Sequence, residues 1–163
     1  MPKVGEVCPA DSALVLANNR NMKPTPFAMQ WGYTMPDGKL LINARSETAA
    51  QKRMFSDGMA RRRCIIPASC YFEWQRTPQG KQKFAIGPKQ QLTYLAGIYR
   101  FEGEKPVFTI LTREPAEQIA FIHPRMPVIL PRDAARQWLD AAVPATHLLQ
   151  YAVEDVAYTP AGS

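Results

Sequence analysis

The sequence predicts an α+β domain, mainly antiparallel, with a β-barrel-like sheet and a few short helices. Short apolar or alternating segments recur at close intervals along the whole chain. Turn-forming clusters separate them. Fifteen prolines and nine glycines among 163 residues leave little room for long helices. Many short strands with few helices close most readily by curling into a barrel or partial barrel, which removes exposed strand edges.

Each element has a local reason. Residues 13–16 (ALVL) come after a polar loop and read as a strand, and the run Asn18-Asn19-Arg20-Asn21 is turn material. Residues 27–33 (FAMQWGY) alternate well enough for a second strand, and Pro36-Asp37-Gly38 marks a turn. Residues 40–42 (LLI) form a short apolar strand that stops at the polar run NARSET. Thr48 and Gln51 have capping-box spacing, which predicts a helix over 49–55 broken by Asp57-Gly58. Residues 61–75 (RRRCIIPASCYFEWQ) read as a strand interrupted at Pro67, with further strands over 83–86, 93–99 and 107–111. Helices are expected over 116–122 and, past the Pro131 boundary, over 133–139. With no internal repeat, low-complexity tract or linker, residues 1–163 are expected to form a single domain.

Net charge is +6, from 20 basic and 14 acidic residues, which favours a polyanionic partner only modestly. No apolar run approaches the ~20 residues that cross a bilayer, and the start lacks a signal-like pattern. Three cysteines is an odd number, and Cys64 and Cys70 are not at CxxC spacing. Reduced thiols, a cytoplasmic monomer, no membrane, no cofactor and no structural metal are the expectation.

Three constellations carry possible chemistry. The first is Asn43-Ala44-Arg45-Ser46-Glu47-Thr48. As a polar loop and helix entry it explains Ser46 and Thr48 well, and Asn43 and Arg45 poorly. The second is Glu73 among Tyr71, Phe72 and Trp74. Its carboxylate either lies on the wet face of the strand or is partly desolvated and suited to proton transfer. The third is His123-Pro124-Arg125-Met126-Pro127, where prolines stiffen a loop carrying an imidazole and a guanidinium. Its bland reading is a loop whose His123 and Arg125 face water. The other histidine, His147, falls in the apolar segment ATHLLQ and reads as structural. Cys64 reads as core, and Arg61-Arg62-Arg63 as a solvated face. Trp31 or Trp74, if exposed, could stack on unpaired bases, although core packing is the simpler account of either one singly.

The segments INARSET, RRRCIIPASCYFEW, LAGIY, FTILTREP and HPRMPVIL, in this order, resemble the SOS-response-associated peptidase (SRAP) family of abasic-site-processing proteins. The resemblance covers nearly the whole chain. It implies a compact α+β domain with a barrel-like core and a positively charged DNA cleft. It also implies covalent capture of abasic sites in single-stranded DNA, by an N-terminal cysteine whose amine and thiol close a thiazolidine on the sugar aldehyde. The same cysteine is implicated in self-processing, hence the peptidase name. On this likeness Asn43 positions the reacting terminus, Glu73 carries a proton during imine formation, and His123 assists sugar ring opening. Arg45 and Arg125 hold phosphates, Thr112 lies close to bound DNA, and Trp31 lines the cleft.

The family begins Met-Cys-Gly-Arg, whereas this sequence begins Met-Pro-Lys-Val, and GEVCPADSALVL resembles a segment found inside the family domain. An N-terminally truncated chain without its nucleophile is therefore expected. Cys8 stands where the family usually has an apolar or aromatic residue and has no adjacent free amine. Other readings stay open: a non-catalytic single-stranded DNA-binding remnant, imine chemistry at the secondary amine of Pro2, or a thiol hydrolase pairing Cys70 with His123.

Overall fold

The computed structural model of the chain describes residues 1–89 and 91–162. Strand β1 (Ser12–Asn18) buries Ala13, Val15 and Ala17 and turns Leu14 outward. The Asn19 side-chain oxygen accepts the backbone N–H groups of Asn21 and Lys23, which folds the chain back. The return strand β2 (Pro24–Trp31) pairs antiparallel with β1 from Ser12↔Gln30 to Asn18↔Pro24. The expected strand over 27–33 is split at Gly32. There φ is +121°, and a Cβ would stand 3.0 Å from that of Leu40. Beyond Gly32 the chain forms a separate hairpin of β3 (Tyr33–Thr34) and β4 (Leu40–Leu41).

β5 (Asn43–Arg45) leads into a region where the structure corrects the expectation. The Thr48 side chain makes no capping bond, and it precedes only a 3-10 turn, Ala49–Gln51. Lys52 is extended, and helix α1 (Arg53–Arg61) begins after it. Asp57 and Gly58 lie inside this helix rather than ending it. Asp57 pairs with Arg61 one turn on and with Arg62. Gly58 permits close packing, because a Cβ there would meet Ile98 Cβ at 3.0 Å.

The single interrupted strand expected over 61–75 is two strands in two sheets, β6 (Arg63–Ala68) and β7 (Tyr71–Thr77). Their break falls at Ser69-Cys70, not at Pro67. Pro67 stays paired opposite Tyr94, and β6 meets β1 only at Leu16↔Ile65. At Pro67 the strand is paired on the β9 side only, and such a position tolerates a missing N–H. Next come β8 (Gly80–Pro88), β9 (Thr93–Glu102) and β10 (Lys105–Arg113), each longer than its apolar core suggests. Residues 116–122 hold only a 3-10 turn, Glu117–Ile119, ahead of β11 (Met126–Pro127). α2 (Arg132–Trp138) falls within a residue of its expected bounds. α3 (Ala145–Leu149) and β12 (Val156–Pro160) have no counterpart among the elements expected from sequence.

β1, β2, β10, β9 and β6 close into a five-stranded barrel, antiparallel throughout except between β2 and β10. β7, β8 and β12 form a second, antiparallel sheet. Alternation along the barrel strands divides the core in two. Val15, Met29, Cys64, Leu95, Phe108 and Ile110 pack together with Phe84 and Ile86 of the second sheet. Ile65, Ala96, Ile98, Val107 and Leu111 pack instead against Phe55 and Met59 of α1 and Trp138 of α2. Gly97 is required between these layers, since a Cβ would lie 2.8 Å from both Ile66 Cδ1 and the Thr109 carbonyl oxygen.

Arg63 is a further correction. It is only 6% exposed and donates to the carbonyls of Met59, Asp140 and Val143, with its guanidinium over the Trp138 ring. It ties α1 to the loop between α2 and α3 and is not part of a solvated basic face. His147, by contrast, is exposed on α3 and packs edge-on to Tyr151.

Candidate functional site

The site is built around the C-terminal half of β10. β5 runs parallel to it, with Asn43 opposite Ile110 and Arg45 opposite Thr112. Because side chains alternate along a strand, burial of Ala44 turns Asn43 and Arg45 together to the exposed side. The β5 end is latched where Ser46 N–H donates to the Thr112 carbonyl at 2.9 Å. The other end is held by Trp31, whose indole N–H donates to the Ile42 carbonyl at 3.0 Å. Its ring lies parallel to Phe108, centroids 6.3 Å apart. Trp31 is thus half-buried packing beneath Asn43.

On its opposite edge β10 receives the His-Pro-Arg loop. Residues 126–130 wedge between β10 and β9. Val128 N–H donates to Leu111, Ala96 N–H to Val128, and Leu130 N–H to Tyr94. Met126, Val128, Ile129 and Leu130 are each at most 1% exposed. This anchorage explains why a stiff loop precedes an apolar run: the run is a wedge in the core, and the loop stands at its outer end. Within the loop, His123 Nδ1 lies 3.1 Å from both the backbone N and the carbonyl O of Arg125. Which of these it uses depends on the tautomer.

The Arg125 side chain turns back to β10. Its Nε and Nη2 lie 3.4 and 3.3 Å from Thr112 Oγ1, and Nη2 donates to Glu47 Oε1 and Oε2 at 2.9 and 2.8 Å. Burial works against ionisation of Glu47. The Arg125 hydrogen bond and charge, joined by Arg45, outweigh it and hold the carboxyl below its usual range. Nothing in the sequence singles out Glu47, one polar residue in NARSET; only the turn after β5 aims it at Arg125.

Glu73 arrives from the other sheet. On β7 it pairs opposite Phe84, and its Oε2 stands 3.8 Å from His123 Nδ1. Its side chain is 27% exposed, between the wet and desolvated alternatives. Tyr71, two residues away on the same face of β7, has its phenol pushed well up by burial and then by the Glu73 charge. It stays protonated, and no sequence signal marks a role for it beyond packing. The structure thus gathers Asn43, Arg45, Thr112 and Arg125 on and beside β10, with Glu73 and His123 in contact at the seam between sheets. Such a set offers two guanidinium groups to an anion and places an imidazole and a carboxylate side by side, 3.8 Å apart, for proton transfer to a group bound between them. Among the described residues no cluster of three or more His, Cys, Asp or Glu gathers as a metal-ligand set. A surface cavity of about 600 Å³, lined by Asn18, Met22, Pro24, Arg136 and Asp140, includes none of these residues.

The fold is shared with solved structures. A phage-related protein from Bordetella bronchiseptica superposes with a TM-score of 0.80 at 24% identity, over 96% of this chain and 81% of that one. A protein from Bacteroides thetaiotaomicron gives a TM-score of 0.78 at 21% identity, over 93% and 74%. The family model for the SOS response associated peptidase (SRAP) matches residues 2–160, and the chain belongs to that family. It is 36% identical over 151 residues to the abasic site processing protein YobE of Bacillus subtilis, covering 82% of this chain and 67% of the relative. It is 36% identical over 116 residues to the abasic site processing protein YedK of Escherichia coli, covering 67% and 52%. The abasic site processing protein HMCES of Gallus gallus is 30% identical over 148 residues, covering 72% and 44%. The chain thus spans about half to two thirds of the length of these relatives.

Proposed function

We propose that this chain takes part in processing abasic sites in single-stranded DNA, with Glu73 and His123 as its acid–base pair. The observation that carries the reading is the 3.8 Å approach of His123 Nδ1, in the loop before β11, to Glu73 Oε2 on β7. Asn43, on the exposed side of β5, positions the reacting group. Arg45 and Arg125 hold phosphates on either side of Thr112. Trp31 serves the strand by bracing Ile42 and, through it, Asn43.

The chemistry suits these groups. Opening an abasic sugar removes the hydroxyl proton at C1′, breaks the C1′–O4′ bond and returns a proton to O4′, leaving an aldehyde. An imidazole is chemically able to make both transfers, and a carboxylate beside it helps to orient the ring. A single strand is the natural substrate, because bringing C1′ to His123 then needs no unpairing. The family's nucleophile, an amine and thiol on one residue, is not supplied by the thiols described here. Cys64 is fully buried, Cys70 is half-buried before β7, and Cys8 is exposed within a loop. This chain is thereby assigned the acid–base and phosphate-holding parts of the site.

The test is a single-stranded oligonucleotide with one abasic site, incubated with the chain as it stands and with a version carrying a Met-Cys-Gly-Arg start and the family's adjoining segment. The expected result is a heat-stable shifted band on a denaturing gel with the extended version, weakened by His123→Ala. Reversible, salt-sensitive binding with no band from either version would favour a DNA-binding remnant. No binding at all would overturn the reading.

A further inference from the structure

Arg125 is not free to turn. Its Nε and Nη2 face Thr112 Oγ1, and Nη2 also meets both oxygens of Glu47, at 2.9 and 2.8 Å. Nη1 has no acceptor among the described residues. The side chain is 18% exposed, against 47% for Glu47. Two elements on opposite edges of β10, the turn after β5 and the loop before β11, are therefore tied through this contact.

We infer that Glu47 is a positioning residue for Arg125, fixing the guanidinium so that its Nη1 edge alone is offered to a phosphate. This role rests on the DNA-binding reading above and adds to it a residue that touches no substrate. A carboxylate beside two phosphate-holding arginines has two opposed effects. As a charge it repels DNA; as an acceptor it orders the group that binds it. A flexible arginine loses rotamer freedom on meeting a phosphate, and one already locked does not. The lock reaches further, since the Arg125 backbone is in contact with His123 Nδ1. Holding Arg125 thus also holds the imidazole.

Two substitutions separate the effects. Glu47→Gln keeps an acceptor oxygen and removes the charge; Glu47→Ala removes both. If Glu47 positions Arg125, the two variants part. Affinity for an abasic single-stranded oligonucleotide, read by fluorescence anisotropy across a salt series, is retained or improved in Glu47→Gln. In Glu47→Ala it falls roughly two- to fivefold, as expected for one partly exposed pair. The slope of log K against log salt becomes shallower by about 0.7, one phosphate contact on a single strand. On an Arg125→Ala background Glu47→Ala no longer weakens binding, because only relief of its charge remains, and affinity stays level or rises. A second arm needs no DNA: the Arg125 Nε–H resonance exchanges slowly with water in the native chain and in Glu47→Gln, and fast in Glu47→Ala. Tighter binding and a steeper slope in both variants would make Glu47 only a counter-charge and overturn the inference. So would an Arg125 resonance unmoved by Glu47→Ala. Failure of the native chain to bind DNA would instead sink the reading beneath it, and the resonance alone would then decide whether Glu47 holds Arg125.

Discussion

His123 Nδ1 and Glu73 Oε2 stand 3.8 Å apart, although fifty residues separate them in sequence; Glu73 reaches the contact from β7 and His123 from the loop that leads into β11 of the other sheet. Their meeting depends on how the β7–β8–β12 sheet sits against the barrel through Phe84 and Ile86.

The pair should behave as one unit. In the extended version of the chain, Glu73→Gln and His123→Ala are each expected to slow adduct formation with abasic DNA by about 10²–10⁴-fold. The double variant should be no slower than the worse single one. Single-turnover kinetics on a denaturing gel measure this; fully multiplicative losses would mean the two residues act separately.

Arg63 should matter for stability without touching DNA. Its loss in Arg63→Ala leaves the Met59, Asp140 and Val143 carbonyls without their donor and removes the group over Trp138. A destabilisation of roughly 2–4 kcal/mol is expected. In urea the midpoint should fall at constant m-value, with oligonucleotide affinity unchanged in the folded protein.

Gly97→Ala should be unfavourable although the change is one methyl group. The new Cβ would meet Ile66 Cδ1 and the Thr109 carbonyl oxygen at 2.8 Å and Cys64 Sγ at 3.1 Å. With backbone as one of those neighbours, relief requires strand movement. A cost of about 1–3 kcal/mol is expected, read as a lowered thermal midpoint. An unchanged midpoint would show that β9 and β10 can part more easily than their pairing suggests.

The three thiols should differ in reactivity. Cys8 is exposed, Cys70 half-buried and Cys64 fully buried, with burial pushing the Cys64 thiol well up. A thiol reagent at neutral pH should label Cys8 first and Cys70 more slowly, leaving Cys64 until the protein unfolds. Peptide mapping by mass spectrometry distinguishes them, and early labelling of Cys64 would contradict the barrel packing.

Glu102 predicts a local acid response. Its Oε2 accepts from Thr34 N–H and from Arg100, each at 2.8 Å. Burial opposes its ionisation, but Arg100 and Thr34 together hold the carboxyl below its usual value of 4.5. A lowered folded value means that its contribution is complete above the unfolded pKa and lost as pH falls through the folded one. The Thr34 amide resonance should therefore shift below about pH 4.5 and lose that titration in Glu102→Gln. An identical titration in the variant would assign it to another group.

Much of the candidate site is legible in residue types. A histidine and an arginine between prolines, a glutamate among aromatics and an asparagine–arginine pair after an apolar strand all depart from plain core or surface patterns. The bracing role of Trp31 and the aim of Glu47 are not legible, because each depends on a backbone neighbour distant in sequence. The helix expected at 49–55 fails for a related reason. Capping spacing is local, whereas Gly58 belongs in α1 because Ile98 of β9 leaves no room for a Cβ there.

The sequence by itself determined the strand-rich class, most strand positions and the cysteine packed at 64, since period-two alternation and turn chemistry act over a few residues. Only the tertiary structure decided closure of the barrel, the division of residues 61–75 between two sheets, the burial of Arg63 and the meeting of Glu73 with His123. Those depend on which strands pair and which faces pack. Such long-range contacts are chosen by the fit of whole surfaces, not by any short stretch of chain.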